Sequence, residues 1–113
     1  MPKVTSGKSD EAPLCAVTGR VVPPTGDIHW WAKEGGFYGG IIYSRAVHVV
    51  KPSATGDFIL RLPPSKDAED RKVVGPIIVQ FGRESKIEID VPHDLATVEI
   101  NELRNLGRIK WLR

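Results

Sequence analysis

Short apolar runs alternate with proline and glycine from Leu14 onward, and this punctuation restricts the fold more than any other feature of the sequence. Proline fixes φ and removes an amide donor, and glycine admits turn conformations, so a long helix has little room to grow. Between these breaks the apolar residues recur at every second position. Phe58, Leu60 and Leu62 share one face of a strand, with Ile59 and Arg61 on the other. Ile77, Val79 and Phe81 share a face in the same way, and Ile87, Ile89 and Val91 alternate with Glu88 and Asp90. Helical periodicity is nearly absent.

The pattern predicts strands at Leu14 to Val22, Asp27 to Lys33, Ile41 to Lys51, Asp57 to Leu62, Pro76 to Gly82 and Lys86 to Pro92, with a short addition at Ala96 to Ile100. Pro23-Pro24-Thr25-Gly26 and Pro52-Ser53-Ala54-Thr55-Gly56 read as turns. Glu34 to Gly40 reads as a glycine-flanked loop, Pro63 to Lys72 as a solvated loop, and Arg83-Glu84-Ser85 as a tight hairpin connection. Leu103 and Leu106 stand at helical spacing ahead of Gly107, which allows a short helical turn near the C-terminus. About six or seven strands that each bury one face are accommodated by two sheets packed together, so the expected fold is an all-β sandwich.

Three parts follow from this division. Residues 1–13 are rich in Ser, Lys, Gly, Pro and acidic side chains and read as an extended N-terminal arm, either a free terminus or, being long enough when extended, a segment that lies across a neighbouring subunit. Residues 14–107 form the sandwich, and residues 108–113 form a basic and aromatic tail. A chain of 113 residues with 41% hydrophobic composition is one domain that holds together without staples. Cys15, in Leu14-Cys15-Ala16-Val17, has no second cysteine to pair with and reads as a buried thiol. The first residues lack a secretory apolar stretch, and no segment approaches the ~20 apolar residues of a membrane helix, so synthesis in the cytosol is expected.

Two stretches, Val17-Thr18-Gly19-Arg20-Val21-Val22-Pro23-Pro24-Thr25-Gly26 and Thr55-Gly56-Asp57-Phe58-Ile59-Leu60-Arg61-Leu62-Pro63-Pro64-Ser65, resemble the opening and middle of carboxypeptidase-regulatory-like modules. Those modules are small transthyretin-like β-sandwiches. The segment from Ile87 to Leu103, with its Val91-Pro92 step before an Ala-, Asp- and Leu-rich stretch, is similar to the ending of such modules in bacteriophage tail and fibre proteins. The resemblance implies a non-enzymatic structural module of a virion, made in the host cytoplasm, with other virion proteins and further copies of itself as partners. Trp30-Trp31 and the glycine-rich loop have no counterpart in that pattern.

Catalysis requires a positioned base, nucleophile or metal set. His29, His48 and His93 are scattered, with no His-x-x-x-His or Cys-x-x-Cys spacing, and Gly35-Gly36 and Gly39-Gly40 do not match a phosphate loop. No catalytic residue, metal or cofactor is therefore assigned. The net charge of +2 does not call for a polyanionic partner, and the local basicity of Arg104, Arg108, Lys110 and Arg113 lacks the broad face that nucleic acid demands.

The candidate residues are partner-binding ones. Trp30 and Trp31 are adjacent, so on a strand only one ring enters the core and the other is left for a partner at the surface or lies on its own sheet under a loop. Phe37 and Tyr38 sit between two glycine pairs, as a docking loop or as a hairpin end folded over the rim. Alternation of Ile109 and Trp111 with Arg108 and Lys110 fits an edge strand, added to the chain's own sheet or to a neighbour's. The expected function is that of a virion structural protein in the tail or its fibre-attachment apparatus. A capsid decoration protein, a carbohydrate-binding or adhesion module and an accessory domain of an enzyme complex are the alternatives.

Overall fold

The computed structural model describes residues 13–22, 26–83 and 85–112. Along the chain these form β1 (Cys15–Arg20), β2 (Ile28–Ala32), β3 (Gly36–Tyr38), β4 (Ile41–Tyr43), β5 (His48–Val50), β6 (Asp57–Leu62), β7 (Ile77–Phe81), β8 (Ser85–Ile89), β9 (Thr97–Glu99), α1 (Ile100–Asn105) and β10 (Ile109–Leu112). The arm at 1–13 lies outside the described residues apart from Pro13, as do Pro23-Pro24-Thr25, Glu84 and Arg113.

A five-stranded sheet in the order β10-β8-β7-β2-β5 faces a three-stranded sheet in the order β6-β1-β9, and β3 and β4 form a separate hairpin. One continuous core joins the two layers. Val17, Leu60 and Val98 from the smaller sheet meet Ile28, Val79 and Ile87 from the larger one. The fold is the all-β sandwich with a short C-terminal helix that the alternation predicts, because each strand has one apolar face to remove from water. Pairing is antiparallel except between β1 and β9, which run parallel with Val17 beside Val98.

Several local expectations change. Ile41 to Lys51 is two strands, not one: β4 pairs with β3, whereas β5 pairs with β2 in the larger sheet. Between them the chain turns at Ser44, whose hydroxyl accepts the Ala46 amide at 3.2 Å, and the Arg45 guanidinium donates to the Lys33 carbonyl at 3.2 Å. The glycine-flanked loop contains β3, because Gly39 and Gly40 both take positive φ (60° and 79°) and close a two-residue hairpin turn. Pro63 to Lys72 begins inside the protein. Pro63, Pro64 and Ser65 are buried; the Ser65 hydroxyl accepts the Val91 amide at 2.9 Å, and its carbonyl accepts Val73 and Gly75. The tail is part of the body, since Ile109–Leu112 pairs with β8 as its sheet's last strand.

Candidate functional site

The tryptophan pair divides as the strand geometry requires. Trp30 is a core residue, 6% exposed, and its ring stacks on His48 with centroids 4.1 Å apart. Both demands on a docking residue, access and an unoccupied face, fail there, so Trp30 leaves the set of candidate contact residues. Trp31 is half-buried on the outer face of β2, beside Ile78 of β7 in the strand register. Around it His29, Lys33, Arg45, Val47 and Gln80 line a broad, open depression.

The β3–β4 hairpin presents the barest apolar surface. Phe37 lies directly opposite Ile42, so both side chains project from the same face, and they are 64% and 77% exposed. The other face carries Tyr38 and Tyr43. Tyr43 is buried in the core, and the Tyr38 hydroxyl donates to the Pro13 carbonyl at 2.8 Å. Burial pushes both phenols above the ordinary tyrosine range, with the neighbouring Tyr38 adding to the effect on Tyr43. Gly36 lets the hairpin seat: a Cβ there would collide with the backbone of Val73 and Val74. The tyrosines therefore fasten one face and leave Phe37 and Ile42 on the other, so Tyr38 acts as a fastener and Phe37 as the exposed ring.

A second apolar surface opens beside β10. Trp111 lies opposite Ile87 and Ile109 opposite Ile89, which sets both on the core-facing side of the larger sheet. The smaller sheet does not extend over Trp111, which remains 65% exposed. With Phe58, Phe81, Ile87 and Ile100 it lines a groove of about 240 Å³, and Arg20 and Arg104 stand along the same groove. Arg20 is bound to Asp57 through Nε at 2.8 Å. Arg108, another of the candidate residues, is bound to Asp90 at 3.1 Å. Lys110 and Arg104 have no ion pair among the described residues.

These two surfaces occupy opposite ends of the sandwich. The hairpin lies beside Pro13, Leu14 and Arg61, where β1 begins and β6 ends; the groove lies beside Arg20, Val21 and Phe58, at the far ends of the same strands. Six residues of strand set them roughly 20 Å apart. Ile42, more exposed than Phe37, is the residue sequence reasoning missed. The signal was present in Phe37-Tyr38-Gly39-Gly40-Ile41-Ile42, where a glycine pair between two apolar pairs is a hairpin pattern.

No protein-family model matches the chain, and no curated protein or solved structure is significantly similar to it.

Proposed function

We propose that this chain is a non-enzymatic structural module that works by assembly, and more specifically a bacteriophage virion protein of the tail or its fibre-attachment apparatus. The observation that carries the assembly reading is the Phe37–Ile42 face. Two large apolar side chains lie side by side on a hairpin that Tyr38 and Tyr43 hold to the body from its other face. Covering such side chains contributes roughly 1.5–3 kcal/mol each when burial is complete. Repetition over many copies turns modest contacts into durable ones. The virion assignment is supported by the sequence resemblance, and a capsid decoration role uses the same physics.

A glycan-binding reading would use Trp30 or Trp31, Phe37 and Tyr38 as sugar platforms. Trp30 is buried, Phe37 and Tyr38 project from opposite faces of the hairpin, and Trp31 lies among Lys33 and Arg45 while Tyr38 lies by Pro13 and Arg61. The assembly reading is tested by light scattering and sedimentation across protein concentration, with the double variant Phe37→Ser/Ile42→Ser for comparison. Association that rises with concentration in the parent chain and is lost in the variant is the expected result. The folded state itself should change by no more than about 0.5 kcal/mol per exposed site. A parent chain that stays monomeric at every concentration, or a variant that associates equally well, refutes the role given to the hairpin.

A further inference from the structure

β10 ends its sheet, so one of its edges has no partner among the described residues. The hydrogen-bond phase of that edge follows from one contact. The Asp90 amide donates to the Arg108 carbonyl at 2.9 Å, which makes 108 and 90 a hydrogen-bonded couple. Antiparallel couples alternate, so Lys110 and Leu112 direct their main-chain groups to β8. Ile109 and Trp111 therefore direct theirs outward. The same two residues turn their side chains toward the groove, so unused amides, unused carbonyls and exposed apolar surface coincide at one place.

The charge around this edge indicates what pairs with it. Lys110 projects from the opposite face of β10, and Arg104 stands along the groove; neither has an ion pair among the described residues. Glu88, directly opposite Lys110 in the strand register, is held by Lys33 at 3.1 Å, Asp90 is paired with Arg108, and Asp57 with Arg20. A second copy of β10 is a poor guest. The two-fold register that satisfies all outward groups pairs Ile109 with Trp111 of the other copy and brings Lys110 against Lys110, and like charges directly opposite destabilise a sheet. A strand with apolar side chains toward the groove and carboxylates toward Lys110 meets every requirement.

We propose that the β10 edge is a strand-addition site for an extended segment of another protein in which apolar and acidic residues alternate. The guest strand continues the five-stranded sheet, covers Trp111 and Ile109 with its apolar face, and sets a carboxylate beside Lys110, whose cross-strand neighbour Glu88 is already held by Lys33. The inference rests on reading the chain as a docking module, but it uses a different surface from the hairpin. The two claims can therefore fail separately.

The probe is a synthetic peptide of about seven residues alternating Val and Glu, the length of an ordinary strand. A Val-Lys peptide and a Val-Glu peptide N-methylated at alternate residues serve as controls. Binding is followed by amide hydrogen exchange and by indole chemical shifts in the full chain. The expected result is protection of the Ile109 and Trp111 amides by the acidic peptide, at least about tenfold weaker binding of the basic one, and loss of that preference in Lys110→Glu. Blocking one edge of the peptide by methylation should weaken its binding. Absence of protection with every peptide, or equal protection with both charges, overturns the proposal. So does β10 self-association that excludes the peptides. Binding of the acidic peptide by a chain whose Phe37→Ser/Ile42→Ser variant assembles normally would reject the hairpin's role and retain this one.

Discussion

Cys15 is 3% exposed, and burial pushes its thiol above the ordinary cysteine range, because a thiolate would lose its hydration inside the sandwich. A raised native value means that the neutral form is favoured by folding. Its contribution is complete below the ordinary thiol value of about 8.5 and is lost as pH rises beyond it. A thiol reagent at pH 8 should therefore modify the native chain at least on the order of 100-fold more slowly than the denatured chain. Stopped-flow labelling with and without denaturant measures this; equal rates would show that Cys15 is accessible. The surface carboxylates behave in the opposite sense. The hydrogen bond from Arg20, then that from Thr55, holds Asp57 below the usual carboxylate range, so its contribution is present above about pH 4 and is lost on acidification. At this scale the sequence was readable wherever a residue's neighbours in the chain determine its fate. Trp30 and Trp31 had to part because successive strand side chains point to opposite faces. Which of them entered the core depended on the sheet that packed against β2, information that no local window contains.

Among the elements, α1 illustrates how a short helix is made to stay. Six residues cannot nucleate and hold a helix in water unaided. The Glu99 side chain accepts the Asn101 amide at 3.0 Å at its start. At its end Gly107, with φ 74°, lets its own amide and that of Arg108 donate to Arg104 and Leu103. Leu103 is the one residue of α1 that is buried, and it anchors the helix in the core. Leu103→Ala should cost about 2–5 kcal/mol in denaturant unfolding, whereas Leu106→Ala, at a residue 58% exposed, should cost under about 0.5 kcal/mol. Equal losses would mean that α1 is held by its caps. The β3–β4 hairpin was only partly legible. The Gly39-Gly40 turn is a local signal, but the break of Ile41 to Lys51 into two strands is not. Nothing in Tyr43-Ser44-Arg45 forbids a continuous strand; β4 and β5 separate because β2 claims one and β3 the other. The buried start at Pro63-Pro64-Ser65 escaped for the same reason. Its polar composition resembles a surface loop, and only the hydrogen bonds of Ser65 to Val91, Val73 and Gly75 satisfy it inside.

For the molecule as a whole, closure of the sandwich depends on partners far apart in sequence. β1, near the start of the described chain, is bordered by β9 from the far end, and β8 is bordered by β10. Ending the chain at Ala96 would remove Val98 and Leu103 from the core and leave β1 and β8 with unpaired edges. Such a truncation should lose the cooperative thermal transition followed by circular dichroism; a sharp transition would show that the earlier strands suffice. Alternation and turn chemistry determined by themselves that this chain would be an all-β sandwich, and that a short helix would precede its last strand, because period and punctuation act over a few residues. Tertiary structure decided the partition into sheets of five and three strands and the pairing of β10 within its own sheet. It also decided which apolar side chains remained uncovered, Phe37, Ile42 and Trp111 among them. Exposure is a property of what lies opposite a side chain in space. In a sheet protein, what lies opposite is supplied by strands that are distant in sequence.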